Sequence, residues 1–223
     1  MKHLKMLGLA VLAAMALTAL VGAGTASAKA GVLCSNAQAT GCTAPWPVGT
    51  VIDFSLKTGT SAKLTNTAGE TLDTCTTATV KGKLTANPGA TGTATGENTS
   101  ITWGSAGTPC TWTTTTTKLG KLSVEAESTH GSGWVYADET IEVTISIPSF
   151  LGGPCLYGVA AGTTLGTISE GKSGVSTFTA NAVAKRNTNN GVHPCLPGTE
   201  TALWVAEYTL TEPVNTTLYV STS

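Results

Sequence analysis

Thr140-Ile141-Glu142-Val143-Thr144-Ile145-Ser146-Ile147 is the stretch that decides the fold class of this 223-residue chain. Branched apolar residues occupy every second position, and Glu, Thr and Ser occupy the positions between them. Successive side chains of a β-strand point to opposite faces of the sheet, so this alternation predicts a strand with one buried and one solvated face. We therefore expect Ile141, Val143 and Ile145 to point into a core.

The same two-residue period recurs on both sides of this stretch, and clusters of Gly, Pro and Asn separate the alternating segments as turns do. No window shows a sustained 3.6-residue period, so we expect no helix longer than about two turns. The sequence thus predicts an all-β protein, built as an antiparallel β-sandwich or barrel. The predicted strands are Val51–Leu56, Thr76–Leu84, Lys121–Ala126, Thr140–Ile147, Thr201–Leu210 and Thr217–Val220. Further inward-facing side chains are expected at Phe54, Val80, Val124 and Trp204.

The first 28 residues have the three parts of a secretory signal peptide. Lys2 and Lys5 give a basic start, Leu9–Val21 is an apolar run, and Ala26-Ser27-Ala28 supplies the small residues that a signal peptidase reads. Cleavage is expected before Lys29, and no later apolar stretch approaches the length of a membrane span. We therefore predict a secreted, extracellular protein.

Six cysteines follow the leader, which is an even number in a chain predicted to reach an oxidising compartment. In that setting cysteines form disulfides more often than metal or redox sites. They are Cys34, Cys42, Cys75, Cys110, Cys155 and Cys195. Many connectivities are open to six cysteines. Spacing favours the pairs Cys34–Cys42, Cys75–Cys110 and Cys155–Cys195.

The predicted organisation is a signal peptide over 1–28, a Cys-bracketed N-terminal segment over 29–47 and a β domain over 48–223. The two longer cysteine pairs have similar spacings, and both second members follow a Pro. This similarity suggests two similar disulfide-stapled halves, 48–130 and 131–223. The alternative is one domain that uses the same kind of staple twice.

Several short features carry a resemblance to a known group of proteins. They are the leader ending in Ala26-Ser27-Ala28, the segment Thr74-Cys75-Thr76, and a closing stretch with Trp204, Tyr208-Thr209, Pro213 and Leu218-Tyr219-Val220. On these features the chain resembles secreted, cysteine-containing β proteins of actinobacteria over most of its mature length. The resemblance implies a bacterial extracellular protein and implies no particular activity.

The charge balance excludes two classes of partner. Removal of Lys2 and Lys5 with the leader leaves 10 Lys and Arg against 13 Asp and Glu, a net charge of −3. A weakly acidic chain lacks the basic surface that binds nucleic acid or anionic lipid. We therefore expect no nucleic-acid partner, and no membrane partner after leader cleavage.

Two patterns that often carry chemistry are better explained by turns and solvated strands. Gly166–Ser173 fits the phosphate-loop pattern G-x-x-x-x-G-K-S, but the residues after it favour a strand and not the helix that such a loop needs. Glu125 and Glu127 alternate with apolar residues, so we expect them to face solvent, and we interpret Asp138-Glu139 in the same way.

Nucleophilic catalysis would require His130 or His193 to meet a Ser and one of three acids. The candidate acids are Asp53, Asp73 and Asp138. The sequence has no G-x-S-x-G elbow to present a nucleophilic Ser. We predict no catalytic residues, no cofactor and no metal site, and hence a protein that is not an enzyme.

Aromatic residues make up only 5% of the chain, and five of them are Trp. Trp46, Trp112 and Trp134 form a candidate ligand platform, because exposed aromatic faces on a β scaffold stack against sugar rings. Core packing against the disulfides is the competing explanation for all three. Trp204 shares a face with apolar neighbours, so we assign it to the core.

The leading hypothesis is a secreted, non-catalytic β protein with an extracellular structural or binding role and an unknown partner. The first alternative is a carbohydrate- or cell-wall-binding module that uses surface Trp residues. The second alternative is a secreted hydrolase or an inhibitor of one.

Reduction of the disulfides is expected to lower the thermal midpoint by more than about 10 °C. Loss of one long bridge costs about 2–5 kcal/mol, and each kcal/mol shifts the midpoint of a domain this size by roughly 2–4 °C. Circular dichroism melts with and without reductant, at matched pH, measure the difference. A reduced protein that melts within a few degrees of the oxidised protein would contradict this expectation.

Overall fold

The computed structural model describes residues 30–35, 41–89, 92–104, 107, 109–127, 130–146, 153–169, 176–187, 200–214 and 216–222. Strands and their connections make up these residues; no helix occurs among them, and so none that could cross a membrane. The prediction of an all-β, antiparallel protein is confirmed. The predicted leader lies outside the described residues. The strands are β1 (Val32–Cys34), β2 (Val51–Leu56), β3 (Ala62–Asn66), β4 (Thr71–Cys75), β5 (Ala78–Ala86), β6 (Ala94–Trp103), β7 (Thr113–Lys118), β8 (Lys121–Ala126), β9 (His130–Gly131), β10 (Gly133–Ala137), β11 (Ile141–Ser146), β12 (Cys155–Val159), β13 (Thr164–Ser169), β14 (Thr177–Arg186), β15 (Thr201–Glu212) and β16 (Tyr219–Ser221).

Each of the six predicted strands corresponds to an observed strand. β2 and β8 have the predicted bounds, whereas β5, β15 and β16 differ by one or two residues at one or both ends. The predicted Thr140–Ile147 is observed as β11, and Ile147 lies outside the described residues. Among the predicted inward side chains, Phe54, Val124, Ile141 and Ile145 are buried, and Val80, Val143 and Trp204 are partly buried against the same core.

Eight strands close into an antiparallel barrel. In the order β15-β2-β5-β6-β8-β10-β13-β14 each strand is hydrogen-bonded to the next, and the pairing of β14 with β15 completes the ring. Closure leaves this part of the sheet without free edges. The inward positions of the period-2 pattern fill the barrel interior with Phe54, Leu84, Ile101, Val124, Val135 and Ile168.

The hairpin of β14 and β15 is longer than the barrel requires, and it continues into a second sheet. There β15 pairs with β3 and β14 pairs with β12, which gives the order β4-β3-β15-β14-β12-β11-β7. The two edges meet at the Cys75–Cys110 disulfide, beside a hydrogen bond of 2.9 Å from the Thr111 N–H to the Thr74 carbonyl. The second sheet therefore curls around its own small core, to which Leu64, Val143, Ile145, Tyr157 and Val159 contribute.

Both sheets mix strands from the two parts of the chain that the sequence suggested as halves. The barrel takes β2, β5, β6 and β8 from 48–130 and β10, β13, β14 and β15 from 131–223. The second sheet likewise combines β3, β4 and β7 with β11 and β12. A division at residue 130 therefore does not coincide with a division of the sheets, and the two sheets share the β14–β15 hairpin instead.

A row of aromatic rings connects the two cores along this hairpin. The ring centroids are 5.8 Å apart for Phe54 and Phe178, 5.9 Å for Phe178 and Tyr208, and 6.1 Å for Tyr208 and Trp204. Trp204 then contacts Trp103 at 4.8 Å. The other inward positions of the hairpin are small and buried, which leaves room for the rings inside a closed sheet. These positions are Ala180, Ala182, Ala184, Ala202 and Ala206.

A small sheet of β1, β16 and β9 covers the barrel end where β5 turns into β6. Asn87, in that turn, accepts the Leu33 N–H at 3.0 Å and donates to the carbonyls of Leu33 and Trp46 at 2.9 and 3.0 Å. The predicted N-terminal segment is thus fastened to the barrel by hydrogen bonds from the Asn87 side chain and by burial of Leu33 and Trp46.

Two of the predicted disulfides are confirmed, Cys34–Cys42 and Cys75–Cys110. Cys155 is also disulfide-bonded, and none of the described cysteines is free. Cys195 lies outside the described residues, so the pairing of Cys155 with Cys195 stays a prediction.

Replacement of Ser176 by Ala is expected to lower the free energy of unfolding by about 2–4 kcal/mol. The fully buried Ser176 hydroxyl donates to the Leu218 carbonyl at 3.0 Å and accepts the Leu218 N–H at 2.7 Å, so the variant leaves two buried backbone groups without partners. Ser169→Ala is the matched control, because it removes an exposed hydroxyl bonded to Thr177. Urea unfolding measures both variants, and equal losses would contradict the assigned role of Ser176.

Candidate functional site

The outer wall of the barrel carries two aromatic side chains on β10. Gly133, Val135 and Ala137 of this strand are buried, whereas Trp134 and Tyr136 point outward. Residues two apart in a strand rise by about 7 Å, so the two rings lie side by side on one face. β10 is hydrogen-bonded to β8 on one side and β13 on the other, which fixes the backbone beneath both rings.

Polar side chains flank the two rings on both neighbouring strands. Each ring residue lies directly opposite one residue of β8 and one residue of β13. Residues directly opposite each other in an antiparallel pair share a face of the sheet. We call this set the aromatic face; it consists of Trp134, Tyr136, Ser123, Glu125, Thr164 and Thr167.

Trp134 is the most exposed of the five Trp residues, with 38% of its surface accessible. Trp46, within the N-terminal segment, is only 5% exposed, so its inclusion in a surface platform is wrong. Trp112 is partly buried against the core, and its indole N–H donates to the Leu72 carbonyl at 3.1 Å at the closure of the second sheet. The three predicted platform residues therefore lie on different parts of the molecule, and Trp134 has Tyr136 as its neighbour instead.

The aromatic face combines ring surface with neutral hydroxyl groups. Burial raises the pKa of Tyr136, the negative charge of Glu125 raises it further, and a hydrogen bond with the Thr164 side chain lowers it. The phenol therefore stays protonated at neutral pH and can both donate and accept a hydrogen bond. Such a surface can cover the C–H face of a ring-shaped ligand while it binds polar groups at the ligand's edge.

Tyr136 was open to prediction from the sequence. The stretch Gly133–Ala137 alternates small or apolar residues with aromatic ones, which is the two-residue period of a strand with an aromatic outer side. The pairing of β10 between β8 and β13 was not open to prediction, because the sequence does not specify which strands are neighbours.

Three acidic residues near β10 that the sequence analysis singled out have separate partners. Asp138 accepts a hydrogen bond from Ser123 at 2.5 Å, and Glu139 forms an ion pair with Lys121 at 2.7 Å. Glu127 accepts a hydrogen bond from the Ser132 hydroxyl at 2.9 Å.

Asp53 and Asp73 are both buried, but they belong to different sheets. Asp53 pairs with Lys81 at 2.7 Å, and this hydrogen bond is the largest cause of the raised pKa of Lys81. Asp73 accepts hydrogen bonds from the Trp112 N–H at 3.1 Å and the Thr114 hydroxyl at 2.6 Å, which joins β4 to β7. The His130 side chain and all of His193 lie outside the described residues.

One group of metal-type ligands is present at the closure of the second sheet. Asp73, Cys75 and Cys110 hold ligand atoms within 4.8 Å of one another. The two sulfur atoms are bonded to each other, so neither is a thiolate that could bind a metal. The arrangement serves to join the sheet edges.

The phosphate-loop pattern begins in β13, where Gly166–Ser169 is strand. The chain then forms β14, and the two strands pair from Gly166↔Ala180 to Ser169↔Thr177. A strand occupies the place of the helix whose N-terminus would bind phosphate. Residues 170–175 of the pattern lie outside the described residues.

Comparison with protein-family models, with curated proteins and with solved structures returns no match.

Trp134→Phe is expected to reduce acrylamide quenching of the remaining Trp fluorescence, because it removes the most exposed indole. Trp46→Phe is the matched control and should leave the quenching slope unchanged or raise it, because it removes a buried indole. Stern–Volmer titrations of the two variants and the parent protein make the comparison. A slope that falls more in the Trp46 variant would contradict the placement of both side chains.

Proposed function

We propose that this protein is a secreted, non-catalytic binding protein that recognises carbohydrate, in a glycan or a cell wall, through the aromatic face. The observation that carries the proposal is the exposed Trp134 ring on a rigid barrel strand, with Tyr136 beside it and hydroxyl groups around both. Trp and Tyr are the residue types that most often dominate the energetics of a binding surface.

The chemistry of the surface matches the chemistry of sugars. One face of many sugar rings carries mainly C–H groups, while hydroxyl groups project from the rim. The Trp134 ring can cover the C–H face, and Glu125 and Thr167 lie on either side of it to bind hydroxyl groups. Hydrogen bonds to a carboxylate are stronger than those between neutral groups, which suits Glu125 to orient the ligand.

The setting and the absence of catalysis are supported by separate observations. The disulfides are consistent with an oxidising compartment, and the leader has the parts of a signal peptide. Asp138 and Glu139, which adjoin the strand of the aromatic face, are engaged by Ser123 and Lys121. Because these two carboxylates already have partners, this part of the barrel wall suits binding better than acid-catalysed hydrolysis.

Trp134→Ala is expected to weaken binding to the recognised polysaccharide about tenfold, because about 50 Å² of apolar contact at roughly 25 cal/mol per Å² is worth about 1.3 kcal/mol. Val51→Ala is the matched control: Val51 is exposed on β2, four strands away around the ring, and its variant should bind normally. Pull-down on washed bacterial cell walls, cellulose and chitin, followed by affinity electrophoresis with soluble glucans, measures the binding.

Two results would overturn the proposal. Absence of binding to every polysaccharide and cell-wall preparation would remove the carbohydrate assignment. Release of reducing ends from any of these substrates by the purified protein would favour the hydrolase alternative over a non-catalytic role.

A further inference from the structure

The barrel interior contains a cavity of about 90 Å³. Apolar side chains from the barrel strands form most of its lining, together with the end cover that β1 and Leu218 provide. Lys83 and Glu97, exposed cross-strand partners on β5 and β6, also belong to the lining, so the cavity reaches the barrel surface between these two strands. The chief apolar contributors are Phe54, Leu84, Val124, Leu165, Ile168 and Phe178.

The cavity exists because two neighbouring strands each have a glycine, and so no side chain, where they line it. Gly82 of β5 and Gly96 of β6 both line the cavity, and they lie opposite Asn98 and Leu84 respectively. A Cβ added at Gly82 would lie 3.2 Å from the Glu97 carbonyl oxygen, and one at Gly96 would lie 3.2 Å from the Lys83 carbonyl oxygen. Larger residues at these positions would therefore crowd the ladder, so the space beside Asn98 remains open.

A hydrogen-bond acceptor in this lining lacks a partner within the described protein. Asn98 is only 7% exposed, and its Nδ2 donates to the Leu119 carbonyl at 2.7 Å, which fixes the orientation of the amide. Its Oδ1 is buried without a hydrogen-bond donor. Leaving such an acceptor unmet costs free energy, so a donor supplied from the cavity would be bound favourably.

The same lining contains a donor of the opposite kind. The Nε1 of Trp204 is buried in this lining, and the Tyr208 hydroxyl is the neighbouring group that interacts with it. Asn98 and Trp204 are both neutral, and the aliphatic and aromatic lining around them disfavours a charged ligand. A hydroxyl group is neutral and both donates and accepts, so it suits either of the two groups.

We propose that the barrel cavity is a binding site for a small neutral alcohol, whose hydrocarbon part occupies the apolar interior and whose hydroxyl donates to Asn98 Oδ1. An apolar cavity of about 150 Å³ holds benzene, which has six non-hydrogen atoms, so the cavity of about 90 Å³ in this barrel holds roughly four non-hydrogen atoms by proportion. Propan-1-ol has the required size and chemistry, and it serves as the probe. This site is inside the barrel and is independent of the aromatic face on its outer wall.

The experiment compares propan-1-ol with 1-chloropropane, which has nearly the same shape but no O–H donor. The oxidised protein is titrated with each probe, and the methyl resonances of Leu84, Val124 and Leu165 are followed by NMR. We expect both probes to shift these methyl groups and propan-1-ol to bind about threefold to tenfold more tightly, as one net hydrogen bond provides. The Ile145 methyl groups, in the core of the second sheet, should not move.

Two variants locate the effect. Asn98→Leu should abolish the preference for propan-1-ol, because the acceptor is replaced by a side chain of similar size. Val80→Phe should weaken the binding of both probes, because Val80 lines the cavity. Val51→Phe, on the exposed side of β2, should weaken the binding of neither. Should a variant fail to fold, the comparison of the two probes on the parent protein still decides the question.

Several results would overturn the proposal. If the methyl resonances stay unchanged when the solution is saturated with probe, the cavity holds water only. Equal affinity for the two probes in the parent protein would remove the assigned role of Asn98, and shifts spread equally to Ile145 would mean non-specific binding. Trp134→Ala should leave propan-1-ol binding unchanged, so failure of the carbohydrate proposal and failure of this one are distinguishable.

Discussion

The antiparallel pairing of β14 with β15 is the constraint on which the rest of the structure depends. It runs without interruption from Thr177↔Thr209 to Lys185↔Thr201. One end of this hairpin completes the eight-stranded barrel, and the other end supplies the middle strands of the second sheet. Because a single rigid hairpin belongs to both sheets, neither can shift without the other. The aromatic rings along its inner side, from Phe178 to Trp204, make the two cores continuous.

The alternation of a closed sheet separates two kinds of binding chemistry. Inward positions form an apolar interior in which glycines leave a cavity beside Asn98, and outward positions carry Thr, Ser, Glu and the exposed Trp134. The proposed carbohydrate surface and the proposed alcohol site therefore lie on opposite sides of the same wall. Barrel closure makes both possible, because it holds the strand backbones rigid without a helix to support them.

The positions and buried faces of single strands were predictable from the sequence, whereas the pairing of one strand with another was not. Alternation in Lys121–Ala126 and in β11 identified the strands and their buried faces, since each reports a pattern within one segment. Trp46 shows the limit of such reasoning: its neighbours in sequence are prolines, yet its environment is set by Asn87 of the barrel end and by Leu33 of β1. Likewise Trp134 became part of a candidate site only when β10 was placed between β8 and β13.

The sequence by itself determined the all-β class and the positions of six strands, because period-2 patterns are local properties of the chain. It favoured the pairings Cys34–Cys42 and Cys75–Cys110 among the several that were open. Only the tertiary structure decided that the strands form a barrel and a second sheet with a shared hairpin, in place of two consecutive halves. It also decided that Asn98 lies beside a cavity with an unmet acceptor. These features depend on which distant strands become neighbours. Backbone hydrogen bonds are the same for every residue type, so they do not specify the partner of a strand. The packing of side chains in the whole core therefore determines the pairing.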